Sequence, residues 1–205
     1  MRKIFMPVLA IVLAAVVLLG MYNGLLGIRK ANEAKELEEK LKTILPGSTT
    51  FTEEPYTGED ANIVTAYKGE TGYVVATQTY GYAGNITMLI GVSNEGKVTG
   101  LQVRDMQETH GLGGEALWAW EFLAQFLNTT GNVAIATAGT DAFSAATGES
   151  GAEAEVYVDA LTGATVTSKA IARSVNSAVA YVTGADVSSG ATSWGPYNAG
   201  SARPF

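Results

Sequence analysis

NIVTAYKGETGYVVATQTYGYAGNITMLIGVSNEGKVTGLQVR, residues 62–104, is the stretch on which the fold turns. It is rich in Val, Ile, Thr and Tyr, the residues that suit a pleated, half-buried surface. Turn residues divide it into four runs of strand length: Ile63–Lys68, Tyr73–Tyr82, Ile86–Ser93 and Val98–Val103. Gly69, Gly72, Gly84, Asn94 and Gly96 mark the turns, and Asn94-Glu95-Gly96 is short enough for a hairpin loop. Consecutive strands with such short connections predict an antiparallel sheet.

Toward the C-terminus the periodicity changes. A helix is expected over about Gly114–Leu127, where Leu117, Trp120, Leu123, Ala124 and Leu127 can share a face. Residues 128–151 are rich in Gly, Ala and Thr and read as loop, with a short strand at Val133–Thr137; Val156–Asp159 is another short strand. Lys169–Val182 places Ala, Val and Ile on a helical period, and the Gly/Ser-rich residues 184–205 read as an extended tail. The expected class is α+β, an antiparallel sheet with helices packed on it.

Toward the N-terminus, Ala31–Leu45 is rich in Glu, Lys, Ala and Leu, with Leu37, Leu41, Ile44 and Leu45 at helical spacing, and Pro46-Gly47 ends it. Before it, Ile4–Ile28 is a run of 25 residues without a charge. At about 1.5 Å per residue this exceeds the roughly 30 Å of a bilayer's hydrocarbon core. A cleaved signal peptide is the rival reading, but the run is longer than a usual signal core and no small-residue cleavage site ends it. The domain expectation is therefore a transmembrane anchor over 1–30, a juxtamembrane helix over 31–47, a folded domain over 48–183 and a tail over 184–205.

The charge is divided along the chain. Residues 1–45 hold seven Lys/Arg against four Glu; residues 46–205 hold six against sixteen Asp/Glu, and the net charge is −7. So acidic a domain repels phosphate backbones, which argues against a nucleic-acid partner. There is no cysteine and a single histidine, His110. Disulfides, cysteine-bound iron–sulfur clusters, thiol nucleophiles and multi-histidine metal sites are thereby excluded, so redox chemistry would need an organic cofactor.

The stretch that carries chemistry is Asp159-Ala160-Leu161-Thr162-Gly163-Ala164-Thr165-Val166-Thr167-Ser168, between a strand and a helix. Gly163 and small neighbours permit a tight turn and a close approach to a ligand. Thr167 or Ser168 can cap the helix that follows. Its N-terminus is an anion site within reach of the Thr165 hydroxyl. On these grounds alone, a capped helix after a turn is the preferred reading of the stretch, ahead of a phosphate site.

The pattern Asp-x-x-Ser/Thr-Gly-Ala-Thr, here ending on Thr165, resembles the flavin-attachment signature of the FMN-binding domains in Rnf-type complexes and Na⁺-translocating NADH:quinone reductases. A second stretch, Glu108-Thr109-His110-Gly111-Leu112-Gly113, is similar to that family's Glu-Thr-Pro-Gly-Leu-Gly loop near the flavin, with His110 in place of Pro. Anchor, strands, this loop and the Thr165 turn follow in the family's order, and the pattern most resembles the G subunits of Rnf complexes. The resemblance implies FMN bound covalently by a phosphoester to Thr165, placed there from FAD by a dedicated flavin transferase. It also implies a cofactor site of Asp159, Leu161, Thr162, Gly163, Ala164, Thr167, Glu108, Thr109, Gly111, Leu112 and Gly113, with Asp159 ordering the loop or the acceptor hydroxyl. The function implied is electron transfer within an ion-translocating ferredoxin:NAD⁺ oxidoreductase, as a redox subunit rather than a complete enzyme. The alternatives are the corresponding quinone reductase subunit and a stand-alone extracytoplasmic flavin reductase.

The partners implied are the other membrane subunits, including a second flavinylated one. The resemblance also implies an extracytoplasmic domain on a single-pass anchor in the cell membrane. Arg29, Lys30, Lys35, Lys40 and Lys42 after the apolar run point the other way by the positive-inside rule; the family's orientation is the one adopted. Asp186–Thr192 repeats the attachment signature without a helix to follow, because Ser193-Trp194-Gly195-Pro196 interrupts one, and Asp141–Thr147 is a near-match with Ala for Gly. Thr165 is therefore the expected attachment site. Trp118 and Trp120 are within sequence reach of the site, and core packing is the alternative for both.

Overall fold

The computed structural model describes residues 2–111, 113–114, 119–131, 133–136 and 156–184. The chain forms two compact units, Met1–Lys40 and Leu41–Phe205. Helix α1 runs unbroken over Arg2–Ile44, so the apolar run and the charged stretch after it are one helix. It is long and apolar enough to cross a membrane. Leu13, Val16, Val17, Leu18, Leu19, Met21, Tyr22, Leu25 and Ile28 are all more than half exposed, the pattern of a helix apolar all round. Beyond them Arg29–Glu33 and Glu36–Lys40 form ion pairs at i,i+4 spacing, at 2.7 and 2.6 Å, which support the helix in water.

The second unit is built on a five-stranded antiparallel meander in the order β1-β2-β3-β4-β5. The strands are β1 (Thr52–Pro55), β2 (Ile63–Lys68), β3 (Gly72–Tyr80), β4 (Asn85–Ser93) and β5 (Val98–Met106). Four of them are those expected from residues 62–104. β1 escapes the sequence pattern because Thr-Glu-Glu-Pro is polar and ends on a proline; among the described residues it is an edge strand paired with β2 alone, where proline is tolerated. The expected hairpin loop at Asn94–Gly96 is present, with Gly96 at φ +81° and its N–H donating to the Ser93 carbonyl.

Cross-strand partners share a face, so the register assigns the two sides of the sheet. Val75↔Ile90, Thr77↔Met88 and Thr79↔Ile86 face one way; Val74↔Gly91 and Ala76↔Leu89 face the other. The first face carries the main core, with helix α3 (Thr165–Thr183) packed on it: Ile171, Val175, Ala178 and Val179 are buried there with Ile86, Met88, Ile90 and Val92. The second face receives the last turn of α1, where Leu41, Ile44 and Leu45 are buried. Thr99 donates its hydroxyl to the Ile44 carbonyl at 2.9 Å.

Beside α3 lies a second, two-stranded sheet of β6 (Val133–Ala136) and β7 (Val156–Asp159), paired in parallel rather than antiparallel. Buried Asn176 on α3 fixes β6: its side chain donates to the Val133 carbonyl and accepts from the Val133 N–H, at 3.0 and 2.9 Å. The expected helix over Gly114–Leu127 is corrected. Within that stretch the described residues show a 3-10 turn at Gly113–Gly114, a break at Ala119 and an α-helix, α2, at Trp120–Ala124, followed by a turn to Asn128. Its buried side is Phe122 and Leu123, continued by Phe126, whereas Trp120 is 68% exposed. Of the expected face, Leu123 is buried and Leu127 partly buried, while Trp120 is turned outward; the rest of the core side is the aromatic pair Phe122–Phe126, edge to face at 5.3 Å. Leu117, Trp118, the segment 141–147 and the tail with Thr192 lie outside the described residues.

Candidate flavin site

The two loops singled out in the sequence, separated by about fifty residues, meet. A cleft of about 380 Å³ is lined by Glu108, Thr109 and Gly113 on one side and by Gly163–Thr167 on the other, with Tyr82 at its edge. That volume lies within the usual range for small-molecule sites.

The Gly163 turn comes first. Gly163 adopts φ +73°, a left-handed conformation that a side chain disfavours. The Ala164 N–H donates back to the Leu161 carbonyl, which closes the turn. The helix then begins at Thr165, four residues before the sequence periodicity predicts, with Ala164 as the residue ahead of it and no side-chain cap. The expected capping by Thr167 or Ser168 is corrected. Both hydroxyls lie inside the first turn and bond elsewhere: Ser168 accepts from the Leu161 N–H and donates to the Ala164 carbonyl, each at 3.0 Å. Thr167 donates to Glu108 Oε2 at 3.1 Å. The long-range bond to Glu108 and the local bond to the Leu161 N–H hold Thr-Val-Thr-Ser in place against its weak intrinsic helix preference. The first intrahelical bond runs from the Ser168 N–H to the Ala164 carbonyl, so the amides ahead of it have no intrahelical acceptor and face the cleft end of the helix dipole.

Glu108 joins the parts. Its Oε1 accepts from the N–H groups of Tyr82 and Ala83 at 2.7 and 3.2 Å, and its Oε2 from Thr167. One carboxylate thus ties the β3–β4 turn to the first turn of α3. Gly113 has to be glycine for the same contact, since a Cβ there would meet Thr167 Oγ1 and Glu108 Oε2. Sequence reasoning placed Glu108 near the cofactor but could not see that its oxygens are occupied by protein donors. It also missed Tyr82, whose only sequence signal is an aromatic residue at the apex of a Gly-rich turn.

The remaining candidates divide. Thr165 is half-buried in the cleft, and among the described residues its hydroxyl has no hydrogen-bond partner. Asp159, Leu161 and Thr162 instead line a neighbouring cleft of about 520 Å³ together with Trp120, Phe122 and Gln125. The Asp159 N–H donates to Gln125 Oε1 at 3.0 Å, while its carboxylate is exposed. Gly111 is exposed at φ +79° and lines neither cleft; Leu112 is outside the described residues. Two turns along α3, Arg173 reaches the Tyr80 carbonyl at 3.5 Å, and burial pulls its guanidinium below the usual arginine value.

A glycine turn and a helix N-terminus opening on one cleft, set on a meander covered by a helix, form a site whose free amides and dipole suit an anionic group. The family of the FMN-binding domain matches residues 81–180, a span that takes in both loops and Tyr82. Over 165 residues the chain is 34% identical to the G subunit of the ion-translocating oxidoreductase complex of Methanosarcina acetivorans, covering 75% of this chain and 78% of that protein. It is 32% identical over 127 residues to the G subunit of the Na⁺-translocating ferredoxin:NAD⁺ oxidoreductase complex of Acetobacterium woodii, covering 62% and 53%. A solved structure, the C subunit of the Na⁺-translocating NADH-quinone reductase of Parabacteroides distasonis, aligns with a TM-score of 0.44 at 21% identity, over 58% of this chain and 60% of that one. The chain belongs to the family of G subunits of ion-translocating oxidoreductase complexes.

Proposed function

We propose that this protein carries FMN on Thr165 through a phosphoester and relays electrons within a membrane-bound, ion-translocating ferredoxin:NAD⁺ oxidoreductase complex. One observation carries the reading. Of the three hydroxyls in the first turn of α3, those of Thr167 and Ser168 are engaged by protein partners, while that of Thr165 is left open to the cleft.

The residues present fit the group. Gly163 leaves the backbone bare where a phosphate would approach, and the first amides of α3 with its dipole suit an anion there. Attachment forms a bond from Thr165 Oγ to the FMN phosphorus as the bond between FMN and AMP in FAD breaks, with loss of the hydroxyl proton. A flavin transferase supplies that step. Once bound, FMN would supply reversible two-electron chemistry, and one-electron steps at mild potentials, for which this cysteine-free protein has no dithiol of its own. The chain's own part is to hold the two loops together through Glu108 and to tether the cofactor. Helix α1 serves as a single membrane span and the domain lies outside the cytoplasm, beside the other membrane subunits and a second flavinylated one. The likeness to the G subunits of the two complexes supports the place within such a complex, and the apolar helix supports the anchor.

The test is mass spectrometry of tryptic peptides from the chain expressed with its flavin transferase. The peptide Asp105–Lys169 contains Thr165, and the peptide that begins at Ser174 contains Thr192. An FMN-sized adduct on the first peptide, lost in Thr165→Ala, is the expected outcome. An adduct on the second alone, or on neither, refutes the assignment.

A further inference from the structure

We propose that Tyr82 is the aromatic surface against which the flavin ring lies, in direct contact. This rests on the reading of Thr165 as the attachment site and adds the residue that meets the other end of the cofactor.

Tyr82 stands at the apex of the β3–β4 turn and is 64% exposed, although it lines the same cleft as Thr165. No other aromatic residue lines that cleft among the described residues. Exposure at a turn is usually accompanied by mobility, but here the backbone is fixed on both sides. The Gly81 N–H donates to the Gly84 carbonyl at 2.8 Å, and the next two amides, of Tyr82 and Ala83, both donate to Glu108 Oε1. Gly81 sits so close that a Cβ would meet Glu108 Oε1 and the end of Ile86. The same carboxylate holds Thr167 through its other oxygen, so one residue sets the turn bearing Tyr82 and the helix start bearing Thr165 in a common frame. A broad aromatic side chain held at the edge of a cleft offers a face for offset stacking on a planar ring. The phenol is also an electron donor. In contact with a photoexcited flavin it gives one electron to the ring and takes it back, which shortens the emission.

The experiment uses the full-length protein in detergent, expressed with its flavin transferase. Adduct mass on the Thr165 peptide is read beside the flavin fluorescence lifetime. The wild type should be strongly quenched. Tyr82→Phe keeps an aromatic face but removes the oxidisable phenol, so it should lengthen the lifetime several-fold while the adduct remains. Tyr82→Trp, which restores an oxidisable ring, should return the quenching. Trp120→Phe, in the neighbouring cleft, should leave the lifetime as in the wild type. A Tyr82→Phe protein that carries the adduct with an unchanged lifetime overturns the contact and leaves the Thr165 assignment standing. A wild type without flavin on Thr165 overturns both.

Discussion

At the scale of single residues, hydroxyl groups only three positions apart have different tasks. The Thr165 hydroxyl makes no hydrogen bond among the described residues, whereas that of Ser168 satisfies the Leu161 N–H and is itself buried. Thr165→Ala should therefore change stability by less than about 0.5 kcal/mol, as substitutions free of such contacts do, while abolishing flavin attachment. Ser168→Ala strands a partly buried N–H and should cost about 1–3 kcal/mol. Thermal unfolding of the two variants in detergent separates the roles, and equal losses of stability would contradict the assignment. The sequence showed both loops as motifs, because residue type and local spacing suffice for that. It could not show that Glu108 bonds Tyr82, Ala83 and Thr167, since such bonds depend on how distant segments are brought together. For the same reason it did not separate Asp159, Leu161 and Thr162 from the cleft that holds Thr165.

Among the elements, α3 is the one on which the domain depends. It packs on the meander through apolar residues, and its polar buried residues grip what lies beside it. Thr79 of β3 donates to the Ala170 carbonyl and shares a hydrogen bond with Ser174, at 3.1 and 2.9 Å. Asn176 supplies both a donor and an acceptor to Val133 at the edge of β6. Asn176→Leu keeps the volume roughly but leaves that N–H and carbonyl without partners in a buried place. The expected loss is roughly 2–5 kcal/mol, read as a lower urea midpoint of the full chain in detergent. A loss below about 0.5 kcal/mol would mean that β6 finds other partners. The length of α3 and the brevity of α2 were both misjudged from sequence, for related reasons. A long-range bond from Thr167 to Glu108 and a local one at Ser168 carry one helix through weak formers, while in the other Phe122 and Phe126 join Leu123 in the core and Trp120 turns outward.

On the scale of the whole molecule, the outer edge of the meander is closed by aromatic side chains from several elements. Tyr181 near the end of α3 meets Tyr56 and Tyr73 edge to face, with centroids 5.9 and 5.6 Å away, and its hydroxyl reaches Glu54 Oε2 of β1 at 3.4 Å. Burial, and then the neighbouring Glu54 carboxylate, raise the Tyr181 phenol above its ordinary value of 10.0. Burial likewise raises Tyr67 on β2, with Glu53 adding to it and Arg104 opposing it. A raised folded-state value means that the folded chain holds these protons more tightly than the unfolded one. The stability they contribute is complete below about pH 10 and is lost as the pH rises through the folded values. As the pH rises above about 10 the unfolding midpoint should fall, and Tyr181→Phe should fall less than the wild type. An identical fall in the two proteins would show that Tyr181 has no part in it.

The sequence by itself determined the apolar helix, four strands of the meander with their antiparallel order, the short strands β6 and β7, and the two loops of the candidate flavin site. Each of these is written in local signals: hydrophobic period, turn residues and short motifs of fixed spacing. Only the tertiary structure decided where α3 begins, that β1 joins the sheet edge, that β6 and β7 pair in parallel, and that Glu108 locks Tyr82 and Thr167 around one cleft. These depend on contacts between residues far apart in the chain, whose strength comes from burial and hydrogen-bond satisfaction that no local window contains.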